Sequence, residues 1–138
     1  AARSGERGEQ RGREGGKKSG QGWRKSLSMT AVRPYLSQIE APTRAEVDAL
    51  PGLTLLEFGT SWCGYCRAAQ PALAEALAPY PLLRHIKVED GPGHVLGRSL
   101  RVKLWPTLVL LRNGQEIARV VRPTQAADLS ALLSNAAH

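Results

Sequence analysis

The chain has 138 residues, of which 42% are hydrophobic and 22% are charged, and it carries a formal net charge of +7. This length and composition predict one globular domain and exclude a chain disordered throughout and a membrane span of about 20 apolar residues. The two cysteines lie within one short segment, which excludes a small fold stapled by disulfides between distant segments.

The first 28 residues differ from the rest of the chain. They hold eight basic and three acidic residues among Gly, Gln and Ser, and therefore carry five of the seven net positive charges. Such a segment cannot bury enough apolar surface to offset its ordering entropy. We expect residues 1–28 to be a disordered basic tail and residues 29–138 to be one domain. The tail would be a solvated leader, since Met29 could serve as a start.

The charge and hydropathy of these segments bear on partners and compartment. Because the excess charge belongs to the tail, the domain itself is expected to bind no specific nucleic acid. No apolar run typical of a secretory signal occurs in the tail or after Met29. We therefore expect a cytoplasmic protein with no membrane partner.

The sequence predicts three helices and four strands along the domain. Thr43 and Glu46 have the spacing of a capping box, Pro71 should kink the second helix, and Asn113-Gly114 is typical of a tight hairpin turn. The segment between the second and third strands is predicted to be irregular. In order, we predict a helix from Thr43 to Leu50, a strand at 53–58, a helix at 63–78, a strand at 82–89, a hairpin of strands 107–111 and 116–121, and a helix opened by Pro123 and Thr124. This order predicts an α/β fold with a mixed central β-sheet flanked by helices.

Two thiols stand where the first strand ends and the long helix begins. Cys63 and Cys66 have C-x-x-C spacing, so both sulfurs can meet within one helical turn. The unpaired N–H groups and partial positive charge of a helix N-terminus favour thiolate over thiol. We therefore predict that Cys63 is the reactive, exposed sulfur at the start of the helix.

Half of a zinc site has the same cysteine spacing. Zinc would need two more ligands, and the chain offers His85, His94 and His138 without a second cysteine pair. No metal site is therefore predicted. Metal binding and an inert pair of buried cysteines stay open as alternatives to redox chemistry.

Further features lie in register with the two cysteines. Pro71 follows Cys63 by eight residues, and Glu57, the one charged residue in an apolar strand, precedes it by six. Trp105-Pro106-Thr107 is followed by the hairpin sequence TLVLLRNGQE. With the motif WCGYC at 62–66, these residues resemble the thioredoxin family, whose motif is WCGPC. The resemblance implies the thioredoxin fold and dithiol–disulfide exchange with protein substrates.

The resemblance also implies a role for each matched residue. Cys63 would attack a substrate disulfide, and Cys66 would resolve the mixed disulfide. Glu57 would accept the proton of Cys66, with its pKa raised by burial; the alternative is a Glu at the rim that points to solvent. No cofactor is expected beyond a redox-active Cys63–Cys66 disulfide, and the expected partners are protein disulfides and a reductase as electron donor, with the chain a monomer.

The resemblance implies a substrate surface around the motif. Pro106 would follow a cis peptide bond and leave the backbone of Trp105 free to pair with an extended substrate. Trp62 would be an exposed apolar contact, and Trp105 either a second such surface or part of the core. The residues expected to bind substrate are Trp62, Gly64, Tyr65, Trp105, Pro106 and Thr107.

Three residues depart from the family pattern. Gly59 stands where most thioredoxins have a Trp, Arg122 where they have a Gly in the substrate groove, and Tyr65 where they have a Pro. These departures leave open reducing power and partner choice. A disulfide isomerase or oxidase with the same residues, and a noncatalytic interaction or metal-binding module, are the alternatives to a reductase.

Overall fold

The computed structural model describes residues 33–137 of the protein. The tail predicted at 1–28 lies outside these residues and stays a prediction. Within the described part, four strands form one sheet between two groups of helices.

The apolar run that predicts the first strand forms the centre of the sheet. Strand β1, Leu53–Gly59, pairs in parallel with β2, Arg84–Glu89, and antiparallel with β3, Thr107–Arg112. Strand β4, Gln115–Val121, pairs antiparallel with β3 and completes the order β2-β1-β3-β4. This confirms the predicted mixed sheet, with β1 and β3 covered by neighbours on both edges.

Four α-helices occur in the described part of the chain. None has the length and apolar content needed to cross a membrane. The helix predicted from Cys63 is uninterrupted at Pro71. In chain order the helices are α1, Arg44–Asp48; α2, Gly64–Leu77; α3, Val95–Ser99; and α4, Ala126–Leu133, which continues into a 3-10 turn, Ser134–Ala137.

The element ends follow local hydrogen bonds. The capping box at Thr43 and Glu46 is confirmed, because each side chain accepts a hydrogen bond from the other residue's backbone N–H. Helix α1 nevertheless ends two residues before Leu50. Strand β2 begins two residues later than predicted, because the Leu83 N–H donates to the Tyr80 carbonyl in a turn. The five-residue helix α3 was not predicted, since a run this short shows no helical periodicity.

Each face of the sheet packs against its own helices. On one face, Leu56, Phe58 and Ile86 share an apolar cluster with α1 and α3. On the other face, Leu55 of β1 packs with residues of α2 and α4. Because side chains alternate along a strand, Glu57 lies on the same face as Leu55 and therefore beneath α2.

The hairpin turn docks against the start of β1. Asn113 and Gly114 have φ values of 51° and 82°, as a two-residue type I′ turn requires. The Asn113 side-chain oxygen accepts a hydrogen bond from the Gly52 N–H at 2.8 Å. A Cβ on Gly114 would collide with the backbone carbonyl of Asp48, so this close approach requires glycine.

We expect Gly114→Ala to lower the free energy of unfolding by roughly 2–4 kcal/mol, because it combines a positive φ with a steric collision. Urea unfolding of both proteins measures the difference. Gly64→Ala is the matched control: Gly64 lies in α2, a Cβ there would meet no atom within 4 Å, and its replacement should leave stability unchanged or raise it by about 0.5–1 kcal/mol. Equal effects of the two substitutions would contradict this account.

Candidate active site

Cys63 and Cys66 occupy the first turn of α2. Cys63 is the N-cap residue, with extended backbone, and α2 begins at Gly64. Both cysteines are free thiols. Cys63 is 9% exposed and Cys66 is 1% exposed, so the outer sulfur is less accessible than predicted. The reason is that the Cys63 sulfur folds back over the helix start, where it accepts hydrogen bonds from the N–H groups of Tyr65 and Cys66.

The environment makes Cys63 the more acidic thiol. Burial opposes ionisation, but hydrogen bonds from the backbone N–H and the thiol of Cys66, a third from the Tyr65 N–H, and the charge of Arg122 together lower the pKa of Cys63. All of these groups favour the thiolate. Cys63 is therefore suited to attack a disulfide at neutral pH.

The pKa of Cys66 is shifted in the opposite direction. Burial is the main cause that raises the pKa of Cys66 to about 12; Cys63 also raises it, while the Thr60 N–H and the Tyr35 hydroxyl act in the other direction. Cys66 therefore keeps its proton while Cys63 is a free thiolate. The two sulfurs, one helical turn apart, are prepared for different steps.

An aromatic surface surrounds the motif. Trp62 is 69% exposed and Tyr65 is 59% exposed. Trp105 is half-buried, its ring meets that of Trp62 edge-on at 5.8 Å between centroids, and its indole N–H donates to Asp90 at 2.9 Å. Trp105 is thus neither fully surface nor core. Gly64 is exposed beside these rings, and nothing in the structure requires a glycine there.

The loop before β3 matches only part of the prediction. The Trp105–Pro106 peptide bond is cis, as the resemblance implies. Thr107, however, is buried, pairs with both neighbouring strands and donates its hydroxyl to the Leu104 carbonyl at 2.6 Å. The Thr107 side chain therefore fixes the loop from inside, and the role of Thr107 in substrate binding stays a prediction.

The side chain of Arg122 binds the backbone carbonyl of Trp105, which was expected to be free. Its Nε donates to the Trp105 carbonyl at 2.9 Å, and its guanidinium lies over the Tyr65 ring, 3.9 Å from the centroid. Its backbone has a φ of 52°, and its N–H donates to the Pro106 carbonyl. The Trp105 carbonyl therefore already accepts one hydrogen bond, and pairing of a substrate strand with this backbone stays a prediction in which the strand competes with the Arg122 side chain.

Glu57 is completely buried, which excludes a solvent-facing rim residue. Its Oε1 lies 2.9 Å from His85 Nε2. Its Oε2 accepts hydrogen bonds from the Tyr35 hydroxyl at 2.6 Å and from the Gln70 amide at 2.9 Å, and lies 4.0 Å from Lys87 Nζ. The carboxylate is thus held by groups from β2, α2 and the segment before α1.

The predicted direction of the Glu57 pKa is wrong. Burial alone would raise it, but the hydrogen bond and charge of His85, the charge of Lys87 and the hydrogen bond from Tyr35 outweigh burial and lower the pKa. These partners come from distant parts of the chain, so burial was the one influence visible from the sequence. At neutral pH Glu57 is ionised.

Sequence reasoning missed all four of these partners of the Glu57 carboxylate. His85 and Lys87 alternate with apolar residues in β2, and a polar pair on one face of a buried parallel strand was an available signal. Gln70 lies one helical turn after Cys66 on α2. Tyr35 lies in an irregular segment, and no sequence pattern marks it.

Gly59 is explained by a close approach. A Cβ at this position would lie 2.5 Å from Cys66 Sγ and 2.9 Å from the Tyr35 hydroxyl oxygen. The Cys66 sulfur and the Tyr35 hydroxyl therefore share the space that any larger residue would fill. Within residues 33–137, no group of three potential metal ligands comes together.

Comparisons with known proteins agree with this geometry. The family model described as Thioredoxin matches residues 39–135. Thioredoxin-1 of Saccharomyces cerevisiae is 34% identical over 85 residues, covering 61% of this chain and 82% of the yeast protein. Thioredoxin H2-1 of Oryza sativa subsp. japonica is 33% identical over 69 residues, so this chain spans half of the rice protein's length.

A solved structure is similar over more of the chain. The reduced form of thioredoxin 2 from Pseudomonas aeruginosa PAO1 is 60% identical, with a TM-score of 0.64, and the match covers 70% of this chain and 91% of that one. This similarity confirms the fold predicted from the sequence.

The first prediction for this site concerns the thiols. Between pH 5 and about 9, iodoacetamide should modify Cys63 faster than Cys66, because only Cys63 has a lowered pKa. Arg122→Gln should slow the alkylation of Cys63 at pH 7 by roughly 2–5-fold, since it removes a charge that favours the thiolate. Arg98→Gln, an exposed change on α3, is the control. Peptide mapping by mass spectrometry measures both rates, and faster modification of Cys66 would reverse the assignment.

The second prediction concerns Glu57. Glu57→Gln should lower the free energy of unfolding at pH 7 by roughly 3 kcal/mol, because it removes the buried charge that lies 2.9 Å from His85 Nε2 and 4.0 Å from Lys87 Nζ. Since the folded pKa lies below the ordinary 4.5, this stabilisation is present above about pH 4.5 and is lost as the pH falls through the folded value. The difference between the variant and wild type should therefore shrink in acid.

Urea unfolding at pH 7 and pH 3 measures this difference. Glu75→Gln, an exposed change on α2, is the matched control and should stay within about 0.5 kcal/mol at both pH values. A Glu57→Gln protein more stable than wild type at pH 7 would show that desolvation dominates instead.

Proposed function

The chain belongs to the thioredoxin family and so to the thiol–disulfide oxidoreductases, and we propose that it reduces disulfides of protein substrates through Cys63 and Cys66. The observation that carries the proposal is that the pKa values of two neighbouring thiols shift in opposite directions. The pKa of Cys63 is lowered and that of Cys66 is raised. A pair with this asymmetry can attack with one sulfur while the other waits in its protonated form.

The proposed reaction has two exchanges. The Cys63 thiolate attacks one sulfur of a substrate disulfide, forms a mixed disulfide and releases the first substrate thiolate. Cys66 loses its proton and attacks Cys63, which forms the Cys63–Cys66 disulfide and releases the second substrate thiolate. Two electrons pass to the substrate, and Glu57 is the base that the second exchange uses. No further cofactor takes part.

The substrate surface consists of Trp62, Tyr65 and the loop at Trp105 and Pro106. The two exposed rings offer apolar contact area around Cys63. Gly64 adds backbone without bulk at the start of α2. A substrate strand that pairs with Trp105 competes with Arg122 for its carbonyl, and this competition supports selection among substrates.

The proposal extends to the donor and compartment. An oxidised Cys63–Cys66 pair has to be reduced again, and a thioredoxin reductase is the proposed donor. A pair that cycles through the dithiol form is suited to a reducing compartment, and we place the protein in the cytoplasm as a monomer.

Insulin reduction by dithiothreitol tests the function. The wild-type chain should accelerate the appearance of insulin precipitate, and Cys63→Ser should reduce the rate to that of dithiothreitol alone. In a separate incubation with insulin and no dithiothreitol, pre-reduced Cys66→Ser should accumulate a mixed disulfide between Cys63 and insulin, detectable by non-reducing electrophoresis. Ser130→Ala, an exposed change on α4, is the control and should keep full activity. Unchanged activity in Cys63→Ser would overturn the proposal.

A further inference from the structure

We propose that the Tyr35 hydroxyl is a catalytic group that transfers the proton of the Cys66 thiol to the Glu57 carboxylate when the mixed disulfide is resolved. This inference rests on the function proposed for Cys63 and Cys66. It adds Tyr35, from the segment before α1, to a reacting centre formed by β1 and the start of α2.

The geometry places Tyr35 between the acid and the base. Its hydroxyl lies 2.6 Å from Glu57 Oε2 and within hydrogen-bonding reach of the Cys66 sulfur. The same two atoms, the Cys66 sulfur and the Tyr35 oxygen, converge on the space above Gly59. Tyr35 is therefore the group that connects the thiol to the carboxylate.

The position of Tyr35 is fixed on both sides. The next residue, Leu36, pairs with Val88 at the outer edge of β2: the Leu36 N–H donates to the Lys87 carbonyl, and the Leu36 carbonyl accepts from the Glu89 N–H, each at 2.8 Å. Lys87 Nζ lies 4.8 Å from the centroid of the Tyr35 ring. The hydroxyl is therefore preorganised, as proton transfer requires.

Capture of a substrate changes what surrounds Cys66. In the free dithiol, Cys63 raises the pKa of Cys66 through its hydrogen bond and its charge. In the mixed disulfide Cys63 has neither a thiol hydrogen nor a charge. The Thr60 N–H, the Tyr35 hydroxyl and the cation of Lys87 then favour the thiolate of Cys66 against burial. Cys66 thus loses its proton more easily once a substrate is bound to Cys63.

The step balances in protons and electrons. The Cys66 S–H proton passes to the Tyr35 oxygen while the Tyr35 O–H proton passes to Glu57 Oε2. The Cys66 thiolate attacks the Cys63 sulfur, the Cys63–substrate bond breaks, and the substrate leaves as a thiolate with the electron pair. The two protein sulfurs are oxidised to a disulfide, and the substrate sulfur is reduced.

The proton does not stay on Glu57, whose lowered pKa makes it a transient acceptor. A cavity of about 220 Å³ lies beside the relay and is lined by residues that include Tyr35, Thr60, Cys66 and Gln70. The Thr60 hydroxyl is buried and has no hydrogen-bond partner among the described residues. This cavity is large enough to hold water, for which the Thr60 hydroxyl is a hydrogen-bond partner, and it offers the proton a route to solvent.

A single-turnover reaction with the aromatic disulfide DTNB separates the two exchanges. Mixed in equal amounts, Cys63 attacks and releases a first thionitrobenzoate, and Cys66 then displaces the second from Cys63. Tyr35→Phe should leave the first phase unchanged and slow the second by roughly 10²-fold, because the ring remains and the proton carrier is lost. Tyr80→Phe, an exposed Tyr outside the site, is the matched control and should change neither phase.

Two further measurements distinguish a relay from a structural role. In a Cys63→Ser background, Tyr35→Phe should move the pH dependence of Cys66 alkylation to higher pH, since a hydrogen bond that favours the thiolate is lost. The double variant Tyr35→Phe/Glu57→Gln should be no slower in the second phase than the slower single variant, because both belong to one path. Multiplied effects would show two separate roles and overturn the relay.

The outcomes also separate this inference from the proposed function. A wild-type protein that releases only one thionitrobenzoate would overturn the exchange mechanism and the relay together. A biphasic wild type with an unchanged second phase in Tyr35→Phe would overturn the relay alone and leave Cys63 and Cys66 as the redox pair.

Discussion

The buried carboxylate of Glu57 is the constraint on which the rest of this structure depends. A charge with no solvent contact in the central strand is tolerated only if hydrogen bonds and opposite charges replace its hydration. His85 and Lys87 supply them from β2, and Gln70 and Tyr35 from outside the sheet. Because these groups converge on two oxygens, the carboxylate fixes strand register, helix position and the segment before α1 at once.

The same cluster explains how two chemically identical thiols come to differ. Cys63 sits at the edge of the helix, where backbone N–H groups and Arg122 favour its thiolate. Cys66 lies further inward, where burial dominates and its sulfur contacts the cluster through the Tyr35 hydroxyl. The difference therefore follows from position on one helical turn and not from any difference in residue type. Gly59 permits it, because a side chain there would separate the inner sulfur from the hydroxyl.

The local signals predicted the parts of the structure that local interactions determine. The capping box at Thr43, the turn at Asn113-Gly114 and the apolar strand β1 all depend on neighbouring residues, and all are confirmed. Tyr35 could not be predicted, since it lies 22 positions from Glu57 and meets it only through the tertiary fold. The predicted direction of the Glu57 pKa shift was wrong for the same reason. The apolar pattern of β1 indicated burial, but it did not reveal the partners that compensate for it.

Arg122 connects the loop at Trp105 to the reactivity of Cys63. Its φ of 52° is a conformation that glycine adopts more easily, so the side chain is kept there against a local preference. The guanidinium holds the Trp105 carbonyl, covers the Tyr65 ring and favours the Cys63 thiolate. Any movement of this cation away from the Trp105 carbonyl would therefore also change the electric field at the Cys63 sulfur. The hydrogen bonding of the Trp105 carbonyl and the stabilisation of the Cys63 thiolate therefore depend on the same side chain.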